Sequence, residues 1–377
     1  MSIFGSQGSQ GSQGSQGSQG SQGSQGSQGS QGSQGSQGSQ GSQGSQGTAG
    51  SAPSSYVSLA LILARDGTQQ YWPGGAASRT PPHPNRSAWD TFKAMAQGPR
   101  IAVLDRALDT IFNVELANQA AANAQGKVSV GAQTLVTLTK PDDAFLAEHQ
   151  LPYLRAAADL RGDRLAEISV ETGDILSFFG SVGYLSADAT KWTLWLANAV
   201  IRLCTKLEMP LKMGFDVPRP ISMAYEVQPM IQTPGHPAWP SGHATESFAV
   251  ATLMTRLMYP APFDPVAAVT GQNALMRHAA RIASNRTVAG VHFPTDSMAG
   301  AVLGISIGEA LVNLLDGKTE TMSRGFDGSG YAGDFNLTIL GEALTDPAVI
   351  DSTPVPLDPG NVPDWLGDLW AQATAEW

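Results

Sequence analysis

The sequence predicts an all-α fold, a helical bundle that follows a disordered N-terminal repeat tail. Three observations predict it. Residues 5–46 are fourteen uninterrupted Gly-Ser-Gln triplets without an apolar or charged side chain, so nothing offsets the conformational entropy lost on ordering them. From Tyr56 onward, apolar residues recur at helical intervals over most of the chain. One stretch, Lys127 to Leu138, alternates instead, as a short hairpin does.

The triplets share the period of collagen but lack the proline that holds polyproline II geometry. A flexible tether over residues 1–55 is expected, with a self-associating Gln-rich tail as the sharper alternative. Val57 to Ala64 is too short to span a bilayer and suits a buried helix or strand. Pro and Gly between Trp72 and Pro84 mark a long loop. Helices are expected next at about 88–97, 99–124, 140–149 and 152–167, with another over Thr172 to Tyr184 broken at Gly180. A strong helix covers about 186–208, where Trp192, Trp195, Leu196, Val200, Leu203 and Leu207 make an apolar stripe.

Three more helices are expected at 241–259, 265–290 and 294–315. The last is apolar enough to raise a membrane question. Glu309 interrupts it, however, and its small residues suit a central bundle helix. After Asp316 the chain turns Gly-rich and then Pro-rich, ending in Trp365-Leu-Gly-Asp-Leu-Trp. The expected organisation is a tether at 1–55, a helical domain at 56–340 and a Pro-rich tail at 341–377.

Composition narrows the function. The 377 residues carry a net charge of −10 and a pI near 5.0, which argues against general nucleic-acid binding. A single cysteine, Cys204, excludes an internal disulfide framework and a thiolate metal cluster. Residues 1–30 lack a basic segment followed by an apolar one. No secretory signal or membrane span is therefore expected, and a soluble, cytoplasmic protein is the default.

Three segments bear chemistry, between 212 and 296. The first is Lys212-Met-Gly-Phe-Asp-Val-Pro-Arg219-Pro220, in which Lys212 offers a point charge and Arg219 a planar fork for two oxyanion oxygens. The second is Pro240-Ser241-Gly242-His243, a turn opening a helix. Its unpaired amides sit at the positive end of the helix dipole, Gly242 admits a ligand close to the backbone, and His243 titrates near neutrality. The third is Asn285-Arg286-Thr-Val-Ala-Gly-Val-His292-Phe-Pro-Thr-Asp296. Arg286 adds a second fork, His292 a nucleophilic imidazole, and Asp296 an acceptor able to fix that ring's tautomer. Asp296 also suits the cap of the following helix.

Lys-x6-Arg-Pro, then Pro-Ser-Gly-His, then Arg-x5-His-x3-Asp resembles the signature of the type 2 phosphatidic-acid phosphatase/vanadium haloperoxidase superfamily. One departure is Asn285, where that signature often has Ser before the arginine. The resemblance covers Lys212 to Asp296, with weaker helical similarity from about 88 to 315. It implies a bundle of the haloperoxidase/acid phosphatase type, with an anion pocket between helix ends. It also implies that Lys212, Arg219, Ser241, the Gly242 amide and Arg286 hold the oxyanion. His292 would be the vanadium ligand, or the phosphorylated nucleophile in a phosphatase, and His243 the general acid–base.

His236, seven residues before His243, stands where bromide-oxidising members carry a second histidine. Ala289-Gly-Val-His292 is likewise similar to the bromoperoxidase form of the third motif. The implied function is vanadate-dependent oxidation of halide, bromide first, by hydrogen peroxide, with halogenation of a small organic acceptor. A metal-free phosphatase is the alternative. A non-catalytic assembly or surface protein displaying a degenerate bundle is the third reading. Large assemblies in that family leave a homo-oligomer open.

Overall fold

The computed structural model describes residues 59–64, 84–117, 121, 123–259 and 262–377. The Gly-Ser-Gln triplets and most of the loop expected from Trp72 lie outside the described residues. The chain divides into two units, Met1–Val103 and Leu104–Trp377. In the first, residues 59–64 are helical and leave Leu59, Leu61, Ile62 and Leu63 exposed. Burial was expected there. A helix over Ala88–Ala94 begins at Ser87, whose Oγ accepts from the Asp90 N–H at 3.1 Å.

The second unit is built around helices α1 (Arg161–Glu171), α2 (Lys191–Phe215), α3 (Gly242–Met258), α4 (Ala274–Val288), α5 (Pro294–Leu315) and α6 (Asp364–Thr374). Helix α5 is the centre, buried at every residue from Pro294 to Leu314. Gly300, Gly304 and Gly308 recur every four residues, so they share one face. A Cβ at Gly300 would stand 2.5 Å from the Ser241 carbonyl, and one at Gly304 would strike the Thr245 carbonyl. The backbone of α3 therefore lies directly on α5.

Among the described residues, α5 alone is long and apolar enough to cross a membrane, with a mean hydropathy of 1.7, and that window is wholly covered by protein. Glu309 meets Arg324 across the fold at 2.7 Å. Helix α2 runs past its expected end to Phe215. There Asp216, at φ 46, returns its N–H to the Lys212 carbonyl at 2.9 Å.

The all-α expectation needs correcting. Strands β1 (Phe112–Ala117), β2 (Gln125–Val130), β3 (Gln133–Thr139), β4 (Glu320–Asp327) and β5 (Ile350–Pro356) form one mixed sheet in that order. β3 and β4 are parallel, and the other neighbours antiparallel. The expected hairpin is β2–β3, turning through Gly131 at φ 57. The helix expected over 99–124 ends at Asp109, and β1 follows in its place. Local periodicity misses β1 because a strand depends on its neighbours.

Strands β4 and β5, and the helix Leu337–Thr345 between them, occupy the segment read as a Gly- and Pro-rich tail. The helix expected over 265–290 is two, Pro265–Thr270 and α4, the latter capped by Asn273 Oδ1 accepting from the Leu275 N–H at 2.8 Å. The sheet buries Val128, Leu135, Val136, Leu138 and Phe326, and Gly126 admits Leu211 and Phe215 of α2. Helix α6 closes the other side of α2. Glu376, beyond its end, accepts from the Trp192 and Thr193 amides at 2.6 and 2.8 Å, which pairs free donors at the α2 N-terminus.

Candidate active site

Three chain reversals bring the motifs together. Asp216 turns the chain off α2 toward Arg219, leaving Lys212 one turn inside the helix end. The chain after Arg219 returns along α2, with the Ala238 N–H bonded to the Val217 carbonyl at 2.9 Å, and enters α3 at Ser241. Gly290, at φ 82, reverses the chain between α4 and α5; a Cβ there would stand 2.8 Å from Arg161 Nη2. Arg161 locks that reversal through the carbonyls of Val288, Gln228 and Val227, at 3.0, 2.9 and 2.8 Å. The Ser241 N–H then bonds the Asp296 carbonyl at 2.9 Å, joining the starts of α3 and α5.

At this junction the predicted residues meet. His292 is buried, and its Nδ1 lies 2.8 Å from Asp296 Oδ2. A carboxylate at that distance requires an N–H donor, so the proton sits on Nδ1 and the lone pair on Nε2. The same Asp296 oxygen accepts from the Phe293 N–H at 3.0 Å, so Asp296 stands at the third position of α5 and reaches back to the amide of Phe293, which occupies the N-cap place the sequence suggested for Asp296. Burial lowers the His292 pKa far below the ordinary imidazole range, aided by Arg219 and Lys212. Arg219 Nη1 donates to that Nε2 at 2.9 Å and to the Val291 carbonyl at 2.8 Å.

His236 joins the cluster through Arg219. The guanidinium donates Nε–H to the His236 carbonyl (3.0 Å), and His236 Nδ1 lies 3.1 Å from both Arg219 Nη2 and the Pro237 carbonyl. Burial and then Lys212 lower the imidazole's pKa, so the neutral ring prevails. Lys212 is fully buried and gives two N–H groups to the carbonyls of Ala238 (3.0 Å) and Pro240. An ammonium has three donors, so one remains. His243 Nε2 lies 2.9 Å from the Glu171 carbonyl, which only an N–H can satisfy, leaving the lone pair on Nδ1. Burial, then Arg286, lowers its pKa to about 3.

Ser241 occupies the N-cap position, yet its hydroxyl caps nothing: Oγ is buried with no hydrogen-bond partner. Arg286 Nε is buried and unpaired as well. Buried orphan donors are rare and costly. Two of them stand beside three cations and a helix N-terminus, a donor set that fits a tetrahedral oxyanion of phosphate or vanadate type.

Sequence reasoning missed the acids. Glu171, at the end of α1, is buried and ion-paired with Arg286. Asn285 Nδ2 donates to Glu171 Oε1 at 2.6 Å and to Glu167 Oε2 at 3.1 Å, while Arg164 Nη1 donates to Asn285 Oδ1 at 2.8 Å. Asn285 therefore organises the carboxylates that hold Arg286. Glu208 on α2 is another buried acid, and Glu246 on α3 a half-buried one. The i, i+4 pair Glu167 and Glu171 on an amphipathic helix was the available signal; nothing local tied it to a motif a hundred residues on.

The comparisons agree with this geometry at the level of the family. Residues 191–320 match the PAP2 superfamily, a span that runs from α2 to the start of β4 and contains Lys212, Arg219, Ser241, His243, Arg286, His292 and Asp296. Those residues form a PAP2 superfamily domain. Residues 4–55 match the collagen triple helix repeat. No curated protein matches the chain. The PAP2 match supports phosphatase- or haloperoxidase-type chemistry in general.

Proposed function

We propose that this PAP2 domain holds vanadate and uses hydrogen peroxide to oxidise a halide, bromide first, releasing an oxidised halogen that halogenates a small organic acceptor. The observation that carries the reading is His292, a tautomer-fixed imidazole whose Nε2 lone pair points at the Arg219 guanidinium, in the field of Lys212 and Arg286. Lys212, Arg219 and Arg286 would hold the oxygens of vanadate, with the Ser241 hydroxyl and the Gly242 amide as further donors, and His292 Nε2 would be the metal ligand. When bound, vanadate supplies a Lewis acid that activates peroxide toward halide without changing oxidation state.

His243 favours oxidation over ester transfer. Its proton is committed to the Glu171 carbonyl and its pKa is low. It therefore arrives at neutral pH as a base, suited to taking a proton from incoming peroxide at Nδ1. A phosphatase needs the opposite, a protonated imidazole to release an alkoxide. His236, held on Arg219, would orient that guanidinium and border the halide site.

Phosphate-ester hydrolysis is the second reading, because the same cradle fits phosphate and His292 Nε2 is free of a proton to attack phosphorus. One pair of assays separates the two. Vanadate reconstitution is expected to yield peroxide-dependent bromination of a phenol-type acceptor, and vanadate is expected to leave no ester hydrolysis. Phosphatase activity that vanadate inhibits, with no bromination, would overturn the proposal.

A further inference from the structure

Two acids beside the cradle, the buried Glu208 and the half-buried Glu246, take no part in the chemistry above. On α2, Thr205, Glu208 and Lys212 follow at intervals of three and four, so they share one face. That face lies on the first turns of α3. Thr205 Oγ1 donates to Glu246 Oε1 at 3.1 Å. Glu208 abuts the backbone of Gly242 so closely that a Cβ there would stand 2.5 Å from its Oε1. Glu208 is 2% exposed, and its Oε2 has no hydrogen-bond partner. Glu246 also lines a cavity of about 340 Å³ shared with His243, Glu171, Asp174 and Asn198.

The groups facing Glu208 are Lys212 on its own helix, Arg219 on the following loop, and Glu246 on α3. The Cys204 thiol, kept neutral by burial, faces both acids, and Asp296 at the start of α5 faces Lys212. An ionised Glu208 and a bound oxyanion compete for the same two cations. Resting on the oxyanion reading above, we propose that the Glu208–Glu246 pair takes up one proton from the cavity as a tetrahedral oxyanion enters the cradle. The proton comes from bulk water and ends on the Glu208 carboxyl, which leaves the charge of Lys212 to the anion. Glu208 is thus a positioning residue that acts through Lys212.

The electrostatics agree. Burial raises Glu208 to about 7 against the pull of Lys212 and Arg219, and burial together with Glu208 raises Glu246. A bound anion raises Glu208 further, so proton uptake accompanies binding and oxyanion affinity falls as pH rises through neutrality.

Calorimetric titration of the full chain with inorganic phosphate, in buffers of different ionisation enthalpy near pH 7.5, counts the protons. Wild type is expected to take up close to one proton more than Glu208→Gln, and Glu208→Asp to restore the uptake. Above neutrality the wild-type affinity should fall up to about tenfold per pH unit more steeply than that of Glu208→Gln. Where Glu208→Gln does not fold, Glu246→Gln serves, moving the pH of greatest uptake downward. Phosphate binding with equal proton counts in wild type and Glu208→Gln, or an unmoved uptake profile in Glu246→Gln, overturns the proposal alone. Wild type binding neither phosphate nor vanadate overturns the oxyanion reading and this one with it.

Discussion

At the scale of single residues, the site depends on who holds each proton. Asp296 keeps the His292 proton on Nδ1, and a carboxylate that orients a ligating imidazole in this way sets ligand affinity by roughly 10–100-fold. Asp296→Ala is expected to weaken vanadate binding by about that factor with the helical circular dichroism retained. Unchanged affinity would mean that the ring holds its tautomer without the carboxylate. A surface pair offers a pH test. Hydrogen bonding from Arg281, foremost, lowers Glu167 from 4.5 to about 2. A depressed carboxylate stabilises the fold above its unfolded value and loses that contribution as pH falls through the folded one. Melting temperature should therefore drop between about pH 4.5 and pH 2, and Glu167→Gln should flatten that limb. An identical limb in the variant would assign the acid loss to other groups.

At the scale of elements, the α3–α5 contact decides both stability and site. Gly304 faces the Thr245 carbonyl deep in the bundle, whereas Gly300 faces the Ser241 carbonyl at the cradle. Backbone cannot yield as a side-chain tip does, so overpacking either position costs about 1–3 kcal/mol. The two substitutions should diverge in function. Gly304→Ala is expected to lower the melting temperature while the surviving protein binds oxyanion normally. Gly300→Ala should weaken oxyanion binding in addition, because displacing Ser241 moves a donor. Melting curves beside phosphate titrations check it, and equal affinity in both variants would show that the cradle absorbs the shift. The sheet acts at this scale too: β4 supplies Arg324 to the buried Glu309, so an element invisible to helical periodicity neutralises the acid inside α5.

At the scale of the whole molecule, the cradle is assembled from the ends of α2, α3 and α5 and braced from α1. By composition the repeat segment is not expected to add to that assembly, since Gly, Ser and Gln provide no apolar surface to bury. Removing residues 1–50 is expected to leave turnover and melting temperature within error of the full chain. A melting point lowered by several degrees would show that the triplets pack on the folded part, and a change in oligomeric state would give weight to the collagen-type match.

The sequence by itself determined which groups gather at the site. Lys212, Arg219, Ser241, Gly242, His243, Arg286, His292 and Asp296 were legible because a phosphate-sized anion needs those groups at short, fixed spacings within continuous segments. It also determined α2, α3 and α5, whose apolar periodicity is long and strong. Only the tertiary structure decided the sheet, since β1 has a strand's alternation in six residues and becomes a strand by pairing with β2. It alone decided where the C-terminal segment goes, and which acids touch the site. Glu171 reaches Arg286, and Glu208 reaches the backbone of Gly242, because helices far apart in sequence are pressed together by the α3–α5 core; a carboxylate's partner across the fold leaves no trace in local spacing.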